Sequence, residues 1–190
     1  MSDNYLSRRP LTKAVLDARD GALVVPGLGS PTWDCYAAGG SDDYLYSWGG
    51  MGLALSTALG VALAKPNRRV LCLTGDGEMM MGLGSLSVTG AQRPANLSVL
   101  VLDNEHFGET GKQPGLATTT DLCAMATAAG FTKTMLVTSM EQIPALVELL
   151  FRTPGPTFAL AKIALTQDPL KLPEKDGVLI AEAFRKAASA

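Results

Sequence analysis

The chain is poor in several residue types on which whole classes of chemistry depend. Its single histidine, His106, among 190 residues excludes a multi-histidine metal site and any relay needing two histidines from this chain. The three cysteines, Cys35, Cys72 and Cys123, form neither a CxxC pair nor an even framework. That argues against disulfides, a zinc knuckle and a cysteine-ligated iron–sulfur cluster, and fits a reducing cytoplasm. Charge of one sign is also missing. Sixteen basic and eighteen acidic side chains leave a net charge of −2, so no electrostatic lure exists for nucleic acid or anionic lipid. The longest stretch of low polarity, 49–64, stops at Lys65-Pro66, short of the roughly 20 apolar residues a membrane span takes. The opening MSDNYLSRRP lacks the apolar centre of a signal peptide. Two nucleotide signatures fail as well. Gly111-Lys112 has His106 where a Walker loop needs its first glycine, and Gly82-Leu83-Gly84 lies inside a helix-like segment rather than after a strand.

What is present is an apolar chain, 47% hydrophobic and 18% charged, with 20 glycines and 11 prolines. A chain of this length and composition predicts one globular domain with loops that depend on backbone conformation. Strand-length apolar runs stand at 22–25, 70–74 and 97–102, with weaker ones at 134–137 and 157–163. Helix-length segments lie between them at 51–64, 79–91, 121–130 and 140–151. Continuous apolar strands alternating with helices predict an α/β fold: an open, mostly parallel sheet with helices on both faces. The domain is assigned to residues 1–168. Residues 169–190 are read as a linker followed by a docking helix, with a frayed terminus as the alternative. The loop 105–119, EHFGETGKQPGLATT, is long enough inside a compact domain to suggest a function.

In such a sheet, ligands bind at the carboxyl ends of the strands. The run 70–74 leads into Gly75-Asp76-Gly77-Glu78, and the run 97–102 leads into Asp103-Asn104. If those strands are neighbours, the Asp76 carboxylate and the Asn104 amide oxygen share one sheet edge. Two oxygen donors beside glycine amides and a helix N-terminus suit a hard cation with a phosphate group. Mg²⁺ in particular is usually completed by substrate phosphates and water. The alternative is that Asp76 and Asn104 are strand-end turn residues, a role both types favour.

GDGE followed at this spacing by DNEHFG resembles the cofactor-binding signature of thiamine diphosphate enzymes. Trp48-Gly49-Gly50-Met51-Gly52 is similar to the segment that holds the aminopyrimidine in decarboxylase-type members. The stretch 103–113, DNEHFGETGKQ, resembles that of sulfopyruvate and phosphonopyruvate decarboxylases. Gly155-Pro156-Thr157-Phe158-Ala159 and Phe184-Arg185 also fit the small subunit of that group.

The resemblance implies thiamine diphosphate and Mg²⁺ as cofactors. By it, Asp76, Asn104 and the backbone carbonyl of His106 are metal ligands. The Gly77 and Glu78 amides meet the diphosphate, Gly49, Gly50 and Met51 the pyrimidine, and Gly29 and Ser30 either; Gly75, Phe107 and Gly108 are further cofactor-binding residues. The Met51 side chain bends the cofactor; ordinary helix core is its alternative. His106 and Lys112 are candidates for catalytic work, against a backbone-only role and a solvated loop charge respectively. Glu78, where a small residue is commoner, and Lys112, where glycine or asparagine is usual, leave the substrate open.

The activating glutamate of such enzymes comes from a separate pyrimidine-binding domain, for which this chain has no room. The resemblance therefore implies a split nonoxidative 2-oxo acid decarboxylase, completed by a pyrimidine-binding subunit and homo-oligomeric when alone. Tyr44, Tyr46 and Trp48 are read as packing or interface residues, lying near the shared surface. The alternatives are an acetolactate-synthase-like carboligase fragment and a non-catalytic cofactor-binding or regulatory subunit.

Overall fold

The structure, a computed structural model, describes residues 5–166 and 168–189. Five strands form one parallel sheet: β1 (Leu23–Pro26), β2 (Val70–Gly75), β3 (Leu97–Asp103), β6 (Lys133–Val137) and β7 (Thr157–Lys162), in the order β1-β2-β3-β7-β6. Between β3 and β6 a two-residue antiparallel pair, β4 (His106–Phe107) and β5 (Gln113–Pro114), shapes the long loop. The open α/β sheet expected from the sequence is therefore present, with each expected strand placed to within a residue or two.

Residues of β1, β2, β3 and β7 are buried on both faces and alternate between two apolar layers, as helices on both sides require, whereas in the edge strand β6 only Val137 is buried. Leu23, Val25, Val99 and Val101 face α3 (Ala54–Ala64), α5 (Gly84–Gln92) and α6 (Leu122–Ala128). Val24, Leu71, Leu73, Leu100 and Leu102 face α1 (Arg8–Asp17), α2 (Ser30–Ala37) and α7 (Ile143–Val147). The terminal helix α8 (Gly177–Ala187) joins the first layer through Phe184 and Ala188. Asp176 caps it, its Oδ1 accepting from the Val178 amide at 2.8 Å. No helix among the described residues is long and apolar enough to cross a membrane.

Three helical expectations need correction. The segment 51–64 is helical only from Ala54, because Gly50 and Gly52 take φ values of 72° and 94°, a left-handed backbone that closes a turn and not a helix. The segment 79–91 is two helices, α4 (Asp76–Met81) and α5, separated at Gly82. The Gly52 carbonyl sits where a Gly82 Cβ would be. The segment 140–151 is a capped turn at Met140–Gln142, then α7, then a wide turn at Glu148–Arg152 closed by Thr153 N donating to Glu148 O at 3.0 Å. Helices α1 and α2 escaped the sequence reading. In α1 the buried positions Leu11, Val15 and Leu16 are interrupted by Arg8 and Thr12, and α2 is short with little periodicity, yet both cover the second face of the sheet.

Candidate functional site

The site begins with strand register. β2 pairs with β3 in parallel, Thr74 beside Val101 and Gly75 beside Leu102. Asp76 at the start of α4 and Asn104 just past β3 therefore emerge side by side at one sheet edge. The Asp76 side chain is nearly sealed, at 3% exposed, and its Oδ2 has no hydrogen-bond partner among the described residues. Burial first, and then the negative charge of Asp103, push its carboxyl up to about 7, against the pull of nearby backbone amides. An unpartnered buried carboxylate oxygen is costly. Supplying a cation there removes that penalty, so the donor set fits a hard metal.

Asn104 is fixed by an Asx turn: its Oδ1 accepts from the His106 amide at 2.9 Å, leaving a second lone pair. The His106 ring is pinned through Nδ1 to the Asn104 carbonyl at 2.8 Å. Opposite the His106 backbone stands Pro114, which has no N–H to give the His106 carbonyl. Gly115 closes over Asp76, where a Cβ would lie 3.3 Å from Oδ2. The neighbouring carboxylates are turned elsewhere: Lys162 Nζ holds Asp103 at 2.7 Å and Glu105 at 2.6 Å.

Gly77, Phe107 and Met51 meet in front of the cation position. A Cβ at Gly77 would come 2.7 Å from the Phe107 ring and 3.5 Å from Met51 Cε, so bare backbone is required there for close approach. The cleft they open encloses about 190 Å³, and Ser30, Met51, Gly75, Asp76, Gly77, Glu78, Asn104, His106, Phe107 and Gly108 line it. Gly29, Gly49 and Gly50 are not in its wall. Gly29 backs onto Glu109, with a Cβ position 3.3 Å from Oε1, and Gly49 and Gly50 are exposed beside Met51. Lys112 lines an adjoining cleft instead.

Glu78 does work that its sequence position does not advertise. Its carboxylate points inward, away from the cleft. Oε2 accepts from Leu28 N and Thr74 Oγ1, each at 2.9 Å, and Oε1 from Gly52 N at 3.3 Å. One side chain thus ties the loop after β1, the end of β2 and the Met51 loop together. Gly27 makes room for it, since a Cβ there would collide with Oε2.

Sequence reasoning missed Gly27, Gly115 and Arg8. Arg8, from the unforeseen α1, lines the cleft with a buried guanidinium. Only a turn signal at Pro26-Gly27 and at Pro114-Gly115 pointed to the two glycines. The aromatic run packs within this chain, the first of its two readings. Tyr44 is buried, its ring 6.0 Å from Tyr46 and under the Arg19 guanidinium at 5.2 Å. Trp48 Nε1 donates to Glu174 O at 2.6 Å, within this chain's own tail.

Comparison with known proteins shows the family. The profile described as thiamine pyrophosphate enzyme, C-terminal TPP binding domain, matches residues 32–159. The chain is 38% identical over 165 residues to a phosphonopyruvate decarboxylase of Streptomyces viridochromogenes, covering 86% of this chain and 41% of that protein. It is 33% identical over 181 residues to the sulfopyruvate decarboxylase subunit beta of Methanothermobacter thermautotrophicus, covering 95% of each. An X-ray structure of a thiamin diphosphate-dependent enzyme from Mycobacterium smegmatis shares the fold, with a TM-score of 0.73 at 18% identity over 84% of this chain and 32% of that one. The chain belongs to the thiamine pyrophosphate enzyme family, as its C-terminal TPP-binding domain.

Proposed function

We propose that this chain is the thiamine diphosphate- and Mg²⁺-binding subunit of a split, nonoxidative 2-oxo acid decarboxylase, completed by a separate pyrimidine-binding chain. The observation that carries the reading is the sealed, unpartnered Asp76 oxygen beside the Asn104 amide at the ends of neighbouring strands. Asp76, Asn104 and the His106 carbonyl are the protein ligands of the cation. The amides of Gly77 and Glu78, at the start of α4, face the diphosphate, where backbone N–H groups favour an anion. Gly75, Phe107 and Gly108 wall that end. Met51 supports the cofactor from the opposite side, with Gly49 and Gly50 offering exposed backbone to the pyrimidine and Gly29 and Ser30 completing the pocket.

Held by these residues, thiamine diphosphate would supply the electron sink that a nonoxidative decarboxylation needs. The chain's own residues orient and exclude water. Glu78 fixes the Met51 loop against the Asp76 turn, so both ends of the cofactor meet one rigid frame. His106, its ring held by the Asn104 carbonyl, and Lys112, at the adjoining cleft, are the side chains placed to meet the substrate. The names of the two curated relatives favour a short 2-oxo acid with a distal sulfonate or phosphonate.

The edge beside Met51 is open. Gly49 and Gly50 are exposed, Leu53 is 58% exposed and Met81 68% exposed on either side of the Gly52–Gly82 contact. Apolar side chains beside a half-covered site suit a protein partner, the pyrimidine-binding chain, with a second copy of this chain taking its place when alone. Mixing the chain with its cognate pyrimidine-binding subunit, thiamine diphosphate and Mg²⁺ should give CO₂ release from sulfopyruvate or phosphonopyruvate. Robust turnover by this chain alone, or none with the partner and any 2-oxo acid, would overturn the reading.

A further inference from the structure

A second cleft adjoins the first. The two share Arg8, Ser30, Asn104, Gly108 and Glu109 in their walls, while Trp33, Lys112 and Asp168 belong only to the second. The Arg8 side chain, 6% exposed, pairs through Nε with Asp34 and through Nη2 with Asp168 Oδ2 at 3.0 Å. The two partners differ. Asp34 is completely buried and is also held by Arg9 Nε at 3.1 Å. It is built into the contact of α1 with α2. Asp168 comes from the extended segment after β7, is 29% exposed, and has one other side-chain hydrogen bond among the described residues, from the Thr166 hydroxyl at 3.3 Å.

Two more donors stand around this carboxylate's cleft. The Trp33 indole N–H is shut from solvent and has no acceptor among the described residues. Lys112 is exposed, makes no ion pair among the described residues and is held at φ 62° in the turn between β4 and β5. Arg8, Trp33 and Lys112 all line this second cleft, beside the first. A guanidinium edge and an ammonium recognise a tetrahedral oxyanion.

We propose that Arg8, Trp33 and Lys112 form a subsite for the distal sulfonate or phosphonate of the substrate, and that Asp168 occupies it until that group displaces it. The subsite rests on the decarboxylase reading for the identity of its ligand. Glu109 stands on the wall shared by the two clefts; burial raises its carboxyl above the usual range, with Arg8 pulling the other way.

Sulfoacetate and phosphonoacetate carry the distal group and a carboxylate but no 2-oxo group, so they bind without reacting. Calorimetric titration of the full chain, with and without thiamine diphosphate and Mg²⁺, should detect one of them and not acetate. Lys112→Met should weaken that binding about tenfold, and Trp33→Phe by a smaller factor. Asp168→Asn should tighten it about tenfold, because an internal competitor is removed. A merely structural Asp168 would give no change or a loss. Arg8→Lys is expected to abolish binding, but it also disturbs the Asp34 contact, so the Lys112 and Asp168 variants decide. No binding in either state, or an unchanged or weaker Asp168→Asn, overturns the subsite. Equal affinity for malonate overturns its preference for a tetrahedral anion. Thermal shift by thiamine diphosphate and Mg²⁺, run on the same samples, separates the two claims: its absence with anion binding intact refutes the cofactor reading and leaves the subsite standing.

Discussion

The two ends of the parallel sheet are built by opposite rules. At the amino ends of the strands, donors are spent on backbone carbonyls. The Asn96 side-chain amide reaches Ala62 O, Lys65 O and Arg68 O at 2.8–3.0 Å. The Arg69 guanidinium reaches Phe151 O, Ala95 O and Thr153 O at 2.9–3.2 Å. At the carboxyl ends acceptors outnumber donors. Asp76, Glu78, Asp103, Asn104 and Glu105 crowd one edge, and Asp76 Oδ2 has nothing to accept from among the described residues. Loops at the amino end are fastened by the fold itself, whereas the carboxyl end is left for something outside the chain to complete. The difference separates stability from ligand chemistry along a single strand.

Asn96→Ala should break that comparison most visibly. It takes the two N–H donors of one amide away from the three carbonyls they share, at about 1 kcal/mol for each donor lost. A total of about 2 kcal/mol lowers the melting temperature by roughly 4–8 °C for a chain of this size. Asn96 precedes β3 and Asn104 follows it, so the two lie about 25 Å apart at 3.3 Å per residue. The dissociation constant for thiamine diphosphate with Mg²⁺, measured well below the melting temperature, should therefore stay as it was. A tenfold weaker constant would show that the two ends are coupled.

Asp76→Asn is the counterpart at the other end. It keeps the size of the side chain and removes a buried charge with an orphan oxygen. The melting temperature of the metal-free chain should not fall. The stabilisation from cofactor plus Mg²⁺, about 2.7 kcal/mol at a hundredfold excess over Kd, should vanish. If the substitution instead destabilises the metal-free chain and leaves the ligand shift intact, Asp76 is a turn residue and the metal assignment fails.

Glu78→Gln lies between these extremes because Glu78 stands at the ligand edge yet spends its carboxylate on the fold's own donors. An amide keeps one acceptor oxygen but turns an N–H₂ toward a donor, either Gly52 N or the Leu28 N and Thr74 Oγ1 pair. A loss of about 1–2 kcal/mol follows, together with several-fold weaker cofactor binding as the Met51 loop loosens. Thermal melts and cofactor titrations on the same variant measure the two effects. A melt shift with unchanged cofactor affinity would show that Met51 does not depend on this strut.

How much of this was legible in the sequence follows from the same contrast. The strands were readable because burial on both faces makes them continuous apolar runs, as in 97–102. Asp76 and Asn104 were readable because glycine and asparagine stand directly after those runs. The inward turn of Glu78 was not, since its partners at Leu28 and Gly52 are distant in sequence and contribute only backbone amides. The break at Gly82 was equally hidden: it depends on the Gly52 carbonyl lying where a Cβ would be. Helix α1 escaped because its inner face carries Arg8 beside Leu11 and Val15. A buried arginine looks like a surface residue until its partner Asp34 is brought across from α2.

The smallest effect is expected on that same helix, one face over. Lys13 Nζ holds Asp17 Oδ2 at 2.7 Å, but both side chains are more than half exposed, at 59% and 58%. Such i,i+4 pairs contribute about 0.3–0.5 kcal/mol and are screened by salt. Lys13→Ala also exchanges lysine for the best helix former, which offsets part of the loss. The melting temperature should move by less than about 2 °C, and sulfoacetate affinity should not change. Arg8 and Lys13 are both cations on α1, yet one is sealed between two carboxylates beside the cleft and the other stands in water. A Lys13→Ala variant that bound the anion several-fold more weakly would show that the cleft senses the general positive field of α1. An unchanged constant, beside the loss in Lys112→Met, would tie anion recognition to the side chains that line the cleft.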